Sequence, residues 1–158
     1  MQRILIVATV LMVSEMVTGS CRAGLPLFQR RSSVSSRSQR TSFYNRNGQQ
    51  AGRSLTNGNR TTFYDRSGRR TATSRTSNSR TTFSDRSGRS AGSSRTSGSR
   101  TSYYDRSGRS TGYSRVSGNR TVHYDRSGRQ VGSSRTSGGR TTFYDRSGRT
   151  AGSSRSRR

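Results

Sequence analysis

The chain is expected to fold as an all-β repeat, a β-meander or β-solenoid of tandem twenty-residue hairpin units. Three observations predict this. From Thr41 the sequence repeats every twenty residues, with units opening at Thr41, Thr61, Thr81, Thr101, Thr121 and Thr141, and a fixed period is the signature of repeat architecture. Each unit carries two turn signals ten residues apart, as in Asp85-Arg86-Ser87-Gly88 and Arg95-Thr96-Ser97-Gly98. Between them lie short runs rich in Thr and aromatic residues, such as Thr81-Thr82-Phe83, which favour extended strands.

Taken in chain order, residues 1–23 read as a secretory signal. Gln2-Arg3 supplies the positive end, Ile4 to Val13 is an apolar run broken only by Thr9, and small residues lead to a cleavage position after Ala23. The run is too short to span a bilayer, which takes about 20 apolar residues. The alternative is a lipoprotein processing box, Thr18-Gly19-Ser20-Cys21, with Cys21 lipidated to hold the chain at a membrane. Residues 24–40 form a Ser/Arg-rich linker, and residues 41–158 are six tandem repeats, the last one shortened.

Each turn has its own chemistry. Asp85-Arg86-Ser87-Gly88 places Asp first and Gly fourth, the pattern of a type I turn closed by a left-handed residue at a bulge. In the second turn the glycine recurs as Gly58, Gly98, Gly118 and Gly138 but is Asn78 in one unit. Asn is the residue that best tolerates positive φ after Gly, so a conformational requirement explains the exchange. Setting Asp85 opposite Arg89, and Arg95 opposite Ser99, predicts a register. It puts Asp105 between Arg109 and Arg89. It also places Phe83, Asp85, Arg89 and Arg95 on one face, and Thr82, Tyr104, Gly92 and Arg100 on the other, with Gly92, Gly112, Gly132 and Gly152 near tyrosine rings.

Composition leaves a second reading open. Only 23% of the 158 residues are hydrophobic, and Lys+Arg 31 against Asp+Glu 6 leaves a net charge of +25. All of the basic residues are Arg. One aromatic pair per unit offsets backbone ordering of about 1–2 kcal/mol per residue only with difficulty. The repeats are therefore either an ordered sheet in dilute solution or a chain that orders when a polyanion neutralises the arginines.

Tyr64-Asp65-Arg66-Ser67-Gly68-Arg69 recurs at 104–109, 124–129 and 144–149. The pattern resembles the Tyr-Asp-x-x-Gly-Arg signature of YD repeats, the β-hairpin units of bacterial Rhs and related shell-forming proteins. Unit 81 has Ser84 in place of Tyr, and unit 41 has Asn45 and Gln49 in place of Asp and Arg. The resemblance implies a β-hairpin per unit. The repeats are also similar to those of short exported bacterial proteins built from Thr-Thr-Phe-Tyr-Asp units, a likeness that implies no activity.

The functional signal is an arginine array interleaved with aromatic residues. Arg66, Arg69, Arg75 and Arg80 recur as Arg86, Arg89, Arg95 and Arg100, as Arg106, Arg109, Arg115 and Arg120, and as Arg126, Arg129, Arg135 and Arg140. This reads as a linear ladder of guanidiniums able to pair bidentately with phosphate, sulfate or carboxylate, with rings such as Phe63 and Tyr64 free to stack on bases or sugars. The chain is thus expected to be an exported cationic repeat protein, secreted or held in the periplasm or cell envelope. Its partners are anionic polysaccharide, lipopolysaccharide or extracellular nucleic acid, and a membrane only through a lipidated Cys21. Two further classes stay open: a nucleic-acid-binding arginine-rich protein and a structural or adhesive surface repeat.

Catalytic material is sparse. The chain holds one His, His123, one Cys, one Glu, Glu15, and no Trp, so neither an enzyme nor a metal or cofactor site is expected. Asp65, Asp85, Asp105, Asp125 and Asp145 each stand alone between arginines, whereas calcium takes several oxygens at once. His123 occupies the position of Phe63 and Phe143 and reads as a substituted aromatic residue.

Overall fold

The computed structural model describes residues 38–157. The export signal, Cys21, most of the 24–40 linker and Arg158 lie outside the described residues. Twelve antiparallel strands follow one another: β1(Gln39–Asn45), β2(Gln50–Asn57), β3(Arg60–Asp65), β4(Arg70–Ser77), β5(Arg80–Asp85), β6(Ser90–Ser97), β7(Arg100–Tyr104), β8(Ser110–Ser117), β9(Arg120–Asp125), β10(Gln130–Ser137), β11(Arg140–Asp145) and β12(Thr150–Arg157). Each pairs with its neighbours in sequence, and β1 pairs with β12, so the meander closes into a barrel and does not coil as a solenoid. Closure removes the two edges that an open sheet would expose.

The first turn forms as its chemistry predicts. The Asp125 N–H donates to the Arg129 carbonyl at 3.0 Å, and the Gly128 N–H donates to the Asp125 carbonyl at 3.1 Å. Asp125 Oδ1 then accepts from the Ser127 and Arg129 N–H groups, at 2.8 and 2.9 Å. Gly128 sits at φ +78°, in the left-handed region that a β-carbon disfavours. Immediately beyond the turn each hairpin carries a bulge. Tyr124 pairs with Gln130 but His123 pairs with Gly132, leaving Val131 as the extra residue.

The second turn differs from the expected one. Ser97 pairs with Arg100, so the loop is only Gly98-Ser99, and Arg95 lies across from Ser102 on one side and Arg80 on the other. The positive φ at its first position, +55° at Gly98 and +50° at Asn78, is what two-residue hairpin loops demand. A register displaced by an odd number of residues exchanges the two faces of a strand, and the predicted faces change accordingly. Phe83 and Gly92 point inward as partners, whereas Arg95, Arg100, Thr82 and Tyr104 share the outer face. Asp105 faces Arg109 across its own turn, as expected, but on its other side its backbone lies against Gly92 and not Arg89.

Inside the barrel the repeats stack as rings. Phe63, Phe83, Tyr103, His123 and Phe143 are all buried, His123 to 5% exposure, so the histidine takes an aromatic place. Ser54, Ser74, Ser94, Ser114, Ser134 and Ser154 form a buried hydroxyl ring, with Tyr103 Oη and Ser114 Oγ 2.8 Å apart in a shared hydrogen bond. Nearer the two-residue loops, threonines pair across hairpins, as Thr76 Oγ1 with Thr81 Oγ1 and Thr96 Oγ1 with Thr101 Oγ1, both at 3.0 Å. This core is held by shape and hydroxyl bonding more than by aliphatic burial, which explains the low hydrophobic content.

Gly52, Gly92, Gly112, Gly132 and Gly152 also face inward, against backbone and not against tyrosine rings. A β-carbon on Gly132 would lie 2.6 Å from the Tyr144 carbonyl oxygen. The rings themselves point outward, because Tyr144 precedes Asp145 on the opposite parity to Phe143. Each glycine thus lets the bulged strand press against its neighbour. Ala72 is the exception, and it faces the hairpin strand in which Ser84 replaces tyrosine.

Three outcomes follow. The barrel closes on its own residues, so far-UV circular dichroism of the free protein should show strand, and a coil spectrum that changes only with heparin would refute a ligand-independent fold. Gly132→Ala should cost about 1–3 kcal/mol in urea unfolding, through the forced shift of the Tyr144 carbonyl. Asp125→Ala should cost roughly 1–2 kcal/mol whereas Asp125→Asn should be close to neutral, because Asn45 Oδ1 already accepts the equivalent bonds from the Asn47 and Gln49 N–H groups at 3.0 Å each.

Candidate anion-binding surface

The closed sheet resolves the expected arginine ladder into two rings. Strands alternate in direction, so all Asp-type turns gather at one rim of the barrel and all two-residue loops at the other. Arg66, Arg69, Arg86, Arg89, Arg106, Arg109, Arg126 and Arg129 belong to the Asp-type turns. Arg75, Arg80, Arg95, Arg100, Arg115, Arg120, Arg135 and Arg140 lie on the outer wall of the strands, all exposed. The two groups meet different surroundings, because among the described residues only the rim has carboxylates among its guanidiniums.

On the wall the pairing is unusual. Arg60 is the direct cross-strand partner of Arg75, Arg80 of Arg95, Arg100 of Arg115, Arg120 of Arg135 and Arg140 of Arg155. Directly opposed residues in an antiparallel sheet have Cα atoms roughly 4.5–5.5 Å apart, and like charges so placed destabilise the sheet. Walking across the wall from Thr61 to Ser74, Phe83 and Gly92 advances the equivalent position by two residues per hairpin. With two strand spacings per hairpin, neighbouring arginine pairs recur about every 12 Å around the barrel. The result is a belt of paired cations with threonine, serine and tyrosine between them.

Aromatic residues divide between the two sides. Phe63 is 6% exposed inside the barrel, so it cannot stack on a ligand as expected. Tyr64 lies on the outer wall with the Arg53 guanidinium 5.4 Å from its ring centre. Tyr113 and Tyr124 stack with centroids 4.7 Å apart and planes 17° from parallel, and the Arg100 guanidinium covers Tyr113 at 4.0 Å. The Tyr113 face thus holds the belt arginine Arg100 close to the wall.

Sequence reasoning passed over Arg60 and Arg155, which complete the outermost pairs, and also Arg40 and Arg157. The signal was present. Arginines at the twentieth position of one unit and at the fifteenth of the next become a facing pair once the bulge beyond the intervening Asp-type turn is known. Among the described residues no group of three or more His, Cys, Asp and Glu could hold a metal ion, and each Asp-type carboxylate is engaged with the N–H groups of its own turn.

Compared with known proteins, the chain matches no family model, no curated protein and no solved structure. Function therefore rests on this surface alone.

Proposed function

We propose that the protein is an exported, non-enzymatic cationic barrel that binds anionic polymers of the cell envelope or extracellular space along its outer arginine belt. The observation that carries this reading is the set of directly opposed arginine pairs on the wall. Each pair costs stability when empty and is relieved when a phosphate, sulfate or carboxylate accepts hydrogen bonds from both guanidiniums. Repetition around the wall suits a ligand that is itself repetitive. An outer face of arginine, threonine and serine has the opposite polarity to the apolar band of a lipid-spanning barrel.

Export is supported by the apolar run and small residues of 1–23, and a lipidated Cys21 is the alternative anchor. The likeness to YD repeats is carried by the Tyr-Asp-x-x-Gly-Arg signature, whose Asp and Gly build the turn. Nucleic acid is the second reading, favoured by half-buried tyrosines beside the belt arginines, which resemble a platform for base stacking.

Binding of heparin and of single-stranded DNA across a salt series tests the proposal. Affinity should fall steeply with ionic strength as counterions are released. Replacing Arg80, Arg95, Arg100 and Arg115 by Gln should weaken binding by roughly 100-fold and flatten the salt slope by about three or four, whereas Gln at Arg66, Arg69, Arg86 and Arg89 should do distinctly less. Affinity that does not change with salt would sink the belt mechanism, and tighter binding of DNA than of heparin at equal ionic strength would favour the second reading.

A further inference from the structure

The pseudo-sixfold pattern of junctions is broken where β12 and β1 close the barrel. No loop joins these two strands. At the other junctions the residue before the two-residue loop is small, Asn57, Ser77, Ser97, Ser117 or Ser137, but at the seam the equivalent position is Arg157. Arg157 is the direct cross-strand partner of Arg40, and Arg155 faces Ser42. On the far side of Arg40 the belt position is Leu55 and not arginine, so the charge is displaced toward the seam. A groove of ≈ 290 Å³ opens there on the outer wall, lined by Arg40, Ser42, Tyr44, Gln50, Arg155 and Arg157.

We infer that this groove is a discrete site for one acidic sugar unit, a six-membered ring bearing a phosphate, sulfate or carboxylate. The inference rests on the polyanion-binding reading and deepens it by naming the ligand class. Its chemistry differs from that of the belt. Among the described residues three guanidiniums and no carboxylate line the groove, which selects an anion. Guanidiniums only donate, whereas the Ser42 hydroxyl and the Gln50 amide both donate and accept, as a ring carrying hydroxyl groups requires. The half-buried Tyr44 ring supplies an apolar surface for the sugar's C–H face. The volume sits at the small end of ligand sites, roughly 300–1,000 Å³, and accommodates a single ring and its anionic group. At the seam the belt thus gains a pocket that reads one unit of the polymer, and the end of a chain is the unit best able to enter it.

Glucose 6-phosphate and galacturonic acid are the probes, with glucose and inorganic phosphate as the two halves of the first, measured by calorimetry or NMR on the full mature chain. Two substitutions borrow residues the barrel already accepts at equivalent positions: Arg157→Ser, matching Ser137, and Tyr44→Ser, matching Ser84. Circular dichroism confirms that each folds. The acidic sugars should bind at least about tenfold more tightly than either half, and each substitution should weaken them by roughly tenfold while leaving the salt slope for heparin nearly unchanged. The inference is overturned if inorganic phosphate binds as tightly as glucose 6-phosphate, if both variants bind like the parent, or if heparin binds and neither acidic sugar does. Loss of heparin binding with acidic-sugar binding retained would instead overturn the belt reading and leave the groove standing.

Discussion

One side-chain oxygen at the head of the Asp-type turn, accepting two backbone N–H groups in most of the repeats, is the interaction on which the rest of the barrel depends. In the turn of β9 and β10 these bonds are 2.8 and 2.9 Å long, and the same pair recurs at Asp85, Asp105 and Asp145. They hold the chain in a tight reversal that delivers the following strand with one residue in excess. That residue becomes the bulge, and the bulge decides which side chains face inward. Without it the aromatic residues and glycines would not share the interior face.

From that parity follows the distribution of charge. Interior positions are taken chiefly by aromatic residues, serine, threonine and glycine, with His123 and Ala72 among them and, in the described residues, no arginine or aspartate. Arginines at the fifteenth and twentieth positions are therefore driven to the wall, and the bulged Asp-type hairpin sets the twentieth of one unit directly opposite the fifteenth of the next. Such an arrangement opposes folding, and the closed hydrogen-bond ladder together with the inner rings offsets it. Arg100 and Arg115, an opposed pair whose guanidiniums both lie over the Tyr113 ring, recover part of the cost by exchanging repulsion for contact with a ring face. The carboxylates that would neutralise the belt are held at the opposite rim by the turns they build.

Closure turns a linear repeat into a ring and also creates the one junction of that ring that no loop spans. Gln39 Nε2 donates to Ser156 Oγ at 2.7 Å across a sequence separation of 117 residues, joining the first strand to the last. A repeat whose units were identical throughout would present the same surface everywhere. Because the junction of β12 and β1 lacks a loop, its residues are released from turn geometry, and a long cation can stand where a small residue is required elsewhere. Chemical individuality thus arises where the repeat meets its own ends.

Much of this was legible from residues alone. The period, the hairpin per unit, the Asp-to-Gly turn and the positive φ at Asn78 all follow from local chemistry, because a turn of four residues is decided by those four residues. The placement of His123 among the aromatics followed equally from periodic position. Register did not. The bulge after Tyr124 and the two-residue loop at Gly98-Ser99 each shift pairing by an amount that near-repetitive serine and threonine tracts leave unmarked, and an odd shift exchanges the faces of a whole strand. Closure was undetermined for a related reason: a meander and a barrel have the same local pairs and differ only in whether Thr41 meets Ser156. The sequence by itself thus determined that the chain is a train of hairpins bearing regularly spaced arginines. Only the tertiary structure decided that these arginines face each other in pairs, and that the two ends of the chain meet to form a groove, because both depend on strand twist and pairing summed around the entire ring.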